Sequence, residues 1–231
     1  LKSAAEWVKG ALGYECRNPA LLEAALTHRS AGSPHNERLE FLGDSVLNCV
    51  VAKLVFSEFG AADEGDLSRF RASLVSGESL AVIAQELNLG EQLRLGPGEL
   101  KSGGFRRKSI LADALEAVFG AIYLDGGFEA AQRVIERLFV PRLSSLPTAA
   151  ELKDPKTRLQ EALQAQGLPL PTYTVEAVTG EAHNQMFEVS CAVDALGLRT
   201  VATGPSRRRA EQAAAQMLLD EMNRDREKAS K

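Results

Sequence analysis

The run His35-Asn36-Glu37-Arg38-Leu39-Glu40-Phe41-Leu42-Gly43-Asp44-Ser45-Val46-Leu47 begins a helical period in which Leu39, Leu42, Val46, Val50 and Leu54 recur at three- and four-residue steps. At about 100° per residue, Glu37, Glu40 and Asp44 then gather on the side roughly opposite that apolar stripe. Like charges repel. The patch is therefore either an ordinary solvated face or a cluster held together by a cation.

A second stretch carries the same signature. From Ser109 to Leu124, Leu111, Leu115, Val118 and Ile122 make an apolar stripe, with Asp113 and Glu116 on the opposite side. Ala117 and Gly120 share the acidic side, and such small residues admit a close neighbour. If the two helices face each other, Glu40, Asp44, Asp113 and Glu116 converge. Four hard oxygen donors without His or Cys suit Mg²⁺ or Mn²⁺ rather than zinc or copper.

At these residues the chain resembles the bacterial ribonuclease III family. Asn36 to Ser45 looks like the family's signature run, and Asp113-Ala114-Leu115-Glu116-Ala117 resembles its second acidic motif. The likeness extends from Trp7 to the last helix. It implies that Glu40, Asp44, Asp113 and Glu116 bind Mg²⁺, which Mn²⁺ could replace, and that Asp44 and Glu116 are catalytic. Glu37 and Glu64 match accessory acids. The resemblance also implies a homodimer in which Phe41 inserts into the second subunit. The position of Phe41, about 160° from the apolar stripe, independently points it away from its own core.

Composition sets the frame. With 231 residues, 45% of them hydrophobic, one good core and a smaller second one are expected. The net charge of −4 gives no sign of a nucleic-acid partner, and neither part of the chain is basic overall: residues 1–150 carry 16 basic and 19 acidic side chains, residues 151–231 carry 11 and 12. Phosphate binding must come from local clusters. Three cysteines at unrelated spacings, Cys16, Cys49 and Cys191, argue against a disulfide framework and for a cytoplasmic home, with Cys49 expected as packing. No apolar run reaches membrane-span length, so no membrane partner is expected, and nothing calls for an organic cofactor.

The expected architecture is an all-α domain over residues 1–143, a linker over 144–154 and a small α+β domain over 155–225. Asn18-Pro19 starts a helix, a helix runs from Asp66 to Leu74, and another from Leu80 to Leu87. The glycine- and proline-rich stretch 95–104 reads as a loop, and Pro141 as a helix end. His28 has no second imidazole beside it and suits a structural or RNA-contacting role. Arg106, Arg107 and Lys108 form either ordinary salt bridges or a phosphate contact.

Beyond the linker the pattern is helix, three alternating strands, then a helix capped by Ser206, and this order resembles a double-stranded-RNA-binding domain. By that likeness Ser206, Arg207, Arg208 and Arg209 meet phosphates at a helix start. Thr157, Gln160 and Glu161, with His183 in the loop 180–183, meet the minor groove. Glu211 departs from the pattern, standing where many such domains have lysine.

The resemblance implies Mg²⁺-dependent hydrolysis of double-stranded RNA to 5′-phosphate and 3′-hydroxyl ends with short 3′ overhangs, and processing of ribosomal, messenger and transfer RNA precursors. The first rival is an RNA-binding protein whose helical part only scaffolds a dimer. The second, a helical di-metal carboxylate oxidase, expects Glu-x-x-His pairs that the chain lacks.

Overall fold

The computed structural model describes residues 3–181 and 184–229, in two compact units, residues 1–149 and 150–231. In the first, α1 (Ala4–Leu12) starts at Ser3, whose hydroxyl and backbone exchange capping bonds with Glu6. Asn18 caps α2 (Pro19–Ala25), with Pro19 in the first turn. Then come α3 (Glu37–Glu58), α4 (Glu64–Leu74), α5 (Gly77–Glu86), the short α6 (Pro97–Lys101), α7 (Lys108–Gly126) and α8 (Phe128–Leu143). Among the described residues no helix is long and apolar enough to cross a membrane.

The centre of this unit is α7. Ile110, Leu111, Leu115, Val118, Phe119 and Ile122 are all buried, and so are Ala114, Ala117 and Ala121. The expected one-sided stripe is thus a helix enclosed nearly all round, because α2, α3, α5 and α8 pack on it from several directions. Each large aliphatic side chain buried there contributes roughly 1.5–3 kcal/mol.

Helix α3 is turned from the orientation its leucines suggested. Its buried residues are Leu39, Gly43, Val46, Leu47, Val50, Val51 and Val55, while Leu42 and Leu54 are only half-buried. Glycine explains the rotation. A Cβ on Gly43 would lie 1.7 Å from the Glu116 carbonyl oxygen, and one on Gly120 would lie 2.2 Å from that of Leu39. Two backbones touch where α3 crosses α7, and no other residue fits at either point. The same turn leaves Cys49 exposed rather than packed.

Other elements differ from expectation at their ends. Asp63 accepts from the Asp66 amide, so α4 starts at Glu64. Ser76 likewise caps α5 and starts it at Gly77. The stretch 95–104 contains α6, whose first residue is Pro97, rather than loop alone. Helix α8 continues through Pro141 to Leu143, since one proline removes a single bond from a last turn otherwise packed through Phe139 and Leu143.

The second unit follows the short α9 (Ala149–Leu152). It consists of α10 (Pro155–Gln164), β1 (Thr172–Thr179), β2 (Met186–Val193), β3 (Leu198–Gly204) and α11 (Arg207–Ala229). The strands form an antiparallel sheet in the order β1-β2-β3, with Tyr173, Cys191 and Thr200 in register. One face packs on the helices around Leu159, Leu163, Cys191, Val193, Leu218 and Met222. Alanines 210, 214 and 215 let α11 lie close, and Thr200 Oγ1 donates to the Ala214 carbonyl at 2.8 Å.

Candidate metal centre

The crossing of α3 and α7 sets acids beside it. On α3, Glu40 lies three residues before Gly43; on α7, Asp113 and Glu116 lie seven and four residues before Gly120. Glu116 supplies the carbonyl that Gly43 abuts and Glu40 follows the one that Gly120 abuts, so both acids sit at the crossing, with Asp113 about one turn away. Glu40, Asp113 and Glu116 each offer a carboxylate oxygen, and these atoms lie within 4.8 Å of one another. All three side chains are half-buried.

Asp44 is placed differently. It is exposed one turn along α3 from Glu40, and its Oδ1 accepts from Asn48 Nδ2 at 2.8 Å. It lies outside the three-acid group, though its charge is felt there. Burial, followed by the charges of Asp44, Glu40 and Asp113, pushes the Glu116 carboxyl up to about 8. Glu40 is raised by burial and then by Asp113, Glu37 and Asp44. Asp113 is raised by burial, with His28 pulling it back.

Nearby cations do not relieve this repulsion. Arg29 pairs with Glu37 at 3.2 Å, Arg107 pairs with Glu99 at 3.0 Å, and Lys108 pairs with Glu78. Arg107 and Lys108 thus make exposed salt bridges, while Arg106 lies over the Phe105 ring at 4.9 Å. His28 Nδ1 accepts from the Ser30 amide and contacts its hydroxyl, a local structural role.

Three crowded hard oxygens with no lysine or arginine paired to them among the described residues fit a divalent cation of the magnesium, manganese or calcium type. Glu37 is exposed beside Arg29 and His35, and Glu64 is exposed in the first turn of α4; neither belongs to the group. Phe41 is 77% exposed on α3, and Phe56, on the same helix, is 71% exposed.

In the second unit Thr157, Gln160 and Glu161 are exposed on α10, Glu161 being paired with Lys153 at 2.7 Å. Ser206 Oγ accepts from the Arg209 amide at 3.3 Å. Arg207 bonds Glu211 at 2.8 Å, Arg208 is 3.8 Å from Asp154, and Arg209 is exposed. His183 lies outside the described residues.

The glycines that set the acid spacing were the part missed from sequence. In the sequence Gly120 reads only as a small residue on the acidic side, and Gly43 only as a member of the signature-like run. The available signal was the pairing of an acid with a glycine three or four residues later on both helices.

Residues 18–143 match the family described as Ribonuclease-III-like, and residues 155–222 match the double-stranded RNA binding motif. Fold and acids together define the class: a helical nuclease unit joined to an RNA-binding motif. Ribonuclease 3 of Aromatoleum aromaticum is 60% identical over 213 residues, which are 92% of this chain and 95% of the relative. Ribonuclease 3 of Bordetella pertussis is 60% identical over 209 residues, covering 90% and 82%. The nuclease domain of ribonuclease III from Campylobacter jejuni superposes with a TM-score of 0.58 at 46% identity, covering 60% of this chain and 98% of that domain. That domain is described as flexible in a region involved in dimer formation. The chain belongs to the ribonuclease III family.

Proposed function

We propose that this protein is an endonuclease that hydrolyses double-stranded RNA to 5′-phosphate and 3′-hydroxyl ends, using Mg²⁺ held by Glu40, Asp113 and Glu116 with Asp44 alongside. The observation that carries this reading is the uncompensated three-acid group on facing helices, in a chain that also has a double-stranded RNA binding motif. When bound, the cation supplies charge stabilisation at the phosphoryl oxygen and lowers the pKa of water. The chain supplies the rest.

Glu116 is the acid most shifted by its surroundings, so near neutral pH it holds a proton until a cation replaces it. Asp44, on the open side, retains Oδ2 beyond its bond to Asn48 and can orient an attacking water. Glu37 and Glu64 support from outside the group. In the second unit, arginines 207–209 meet phosphates while Thr157, Gln160 and Glu161 meet the minor groove, so duplex shape rather than sequence is recognised.

We further infer a homodimer through the exposed side of α3. Phe41 and Phe56 are large aromatics left in water by one subunit, and a two-fold pair would present one acidic centre to each strand of a duplex. Precursors of ribosomal, messenger and transfer RNA in the cytoplasm are the substrates this reading implies. The test is incubation of a long RNA duplex with and without Mg²⁺, with Mn²⁺ as substitute, followed by analysis of fragment ends. Cyclic phosphate ends, or equal cleavage in EDTA, would overturn the proposal.

A further inference from the structure

The acid that breaks the basic pattern of α11 has an unusual position. Glu211 is only 8% exposed, yet it lies four residues after the exposed Arg207. Its Oε1 accepts from Arg207 Nε at 2.8 Å, and its Oε2 is 2.5 Å from Lys156 Nζ on α10. The Lys156 ammonium also lies 4.5 Å from the centre of the Tyr173 ring. Asp154 extends the arrangement: it caps α10 through the Lys156 amide, accepts from Gln212, and lies 3.8 Å from Arg208. Two acids thus tether three cations drawn from two helices.

From this geometry we infer that Glu211 is a positioning residue for duplex binding: one buried carboxylate fixes Arg207 by Nε and Lys156 from behind, so that their remaining donors face a phosphate already oriented. The inference rests on the reading that the second unit binds double-stranded RNA. A simple charge count says the opposite, namely that a negative group beside three arginines weakens phosphate binding and its removal strengthens it. The decisive quantity is the freedom of the long cationic side chains, which is lost on binding unless something has already removed it. Arg207 is suited to such a tether because its Nε can bond the carboxylate while the terminal nitrogens stay available on a side chain 65% exposed. A lysine at this position would carry its donors on one rotating nitrogen, without the rigid fork that keeps the carboxylate-bound and phosphate-facing edges of Arg207 apart.

Burial alone would raise the Glu211 carboxyl, but the bonds from Lys156 and Arg207 outweigh it and hold the group below the usual carboxylate range. The tether is therefore charged at neutral pH.

The experiment measures binding of the full-length chain to an RNA duplex in EDTA across a range of salt concentrations. Glu211→Gln removes the charge at constant shape and is expected to weaken binding about tenfold despite the gain in net positive charge. Arg207→Lys, at an exposed position that does not threaten folding, is expected to bind about as poorly as Arg207→Ala. Combining Glu211→Gln with Arg207→Ala should cost less than the two single losses together, a coupling that general destabilisation would not produce. Should Glu211→Gln fail to fold, the comparison of Arg207→Lys with Arg207→Ala decides. A wild-type chain that binds no duplex overturns the functional reading and this inference with it. Wild-type binding with equal or tighter binding by Glu211→Gln, or with Arg207→Lys matching wild type, overturns the inference alone.

Discussion

Two charge clusters in this molecule are built on opposite plans. At the crossing of α3 and α7, three carboxylates crowd within 4.8 Å with no lysine or arginine spent on them among the described residues, and all three are shifted upward. At the start of α11, the like charges are cations, and Glu211 and Asp154 are placed among them as internal counterions. The difference follows from the ligands. A small divalent cation rewards bare oxygens at fixed spacing, whereas an extended polyanion is met by long side chains whose order has to be secured beforehand.

The largest expected effect breaks the first cluster. Glu116→Gln should lower cleavage of an RNA duplex by about a thousandfold or more, with duplex binding in EDTA retained. Without divalent ions the same variant should be more stable than wild type at neutral pH, because the wild-type carboxyl must take up a proton on folding and the glutamine need not. Retained cleavage would remove Glu116 from the centre.

Next in size is Gly43→Ala, which brings a methyl group against the Glu116 carbonyl. A loss of about 3 kcal/mol or more in urea unfolding is expected, as for a severe overpacking change. A loss within experimental error would show that the helices can separate and that the acid spacing is soft.

The third prediction concerns pH. The folded Glu116 carboxyl titrates near 8 against an ordinary 4.5, so the folded chain keeps a proton that the unfolded chain releases between those values. Its contribution to stability is complete below about pH 4.5 and is lost as pH rises towards 8, a decline on the order of 2 kcal/mol after allowance for solvent screening. Mg²⁺ should reverse the decline, and its binding should release protons in calorimetry performed in buffers of different ionisation enthalpy. A flat profile without metal would remove the repulsion from the account.

The smallest effect tests the exposed aromatic. Phe41→Ala should raise the dissociation constant of the dimer about tenfold in sedimentation, leaving the thermal unfolding of a monomer nearly unchanged. An unaltered sedimentation profile at low concentration would place the subunit contact elsewhere.

Much of this was legible in the residues. Asp113 and Glu116 share one side of a helix by spacing alone, and the order of helix, three strands and helix could be followed from turn residues and alternation. The orientation of α3 was not legible. Apolar periodicity marks Leu42 and Leu54 as well as Val46 and Val50, and only the glycine contact with α7 turns the helix so that Gly43 and Leu47 face inward. The ion pairs were also out of reach. Lys108 meets Glu78 thirty residues away and Lys156 meets Glu211 fifty-five residues away, distances over which local patterns carry no information.

The contact between Gly43 and Gly120 bears on how such a centre persists through mutational drift. Where two peptide chains abut directly, the gap between the carboxylates derives from covalent dimensions rather than from the rotamers of intervening leucines and valines. Exchanges among aliphatic residues elsewhere in the core can then accumulate without altering the ionic radius that the acids admit, so selection on the ligands is uncoupled from selection on the packing that surrounds them.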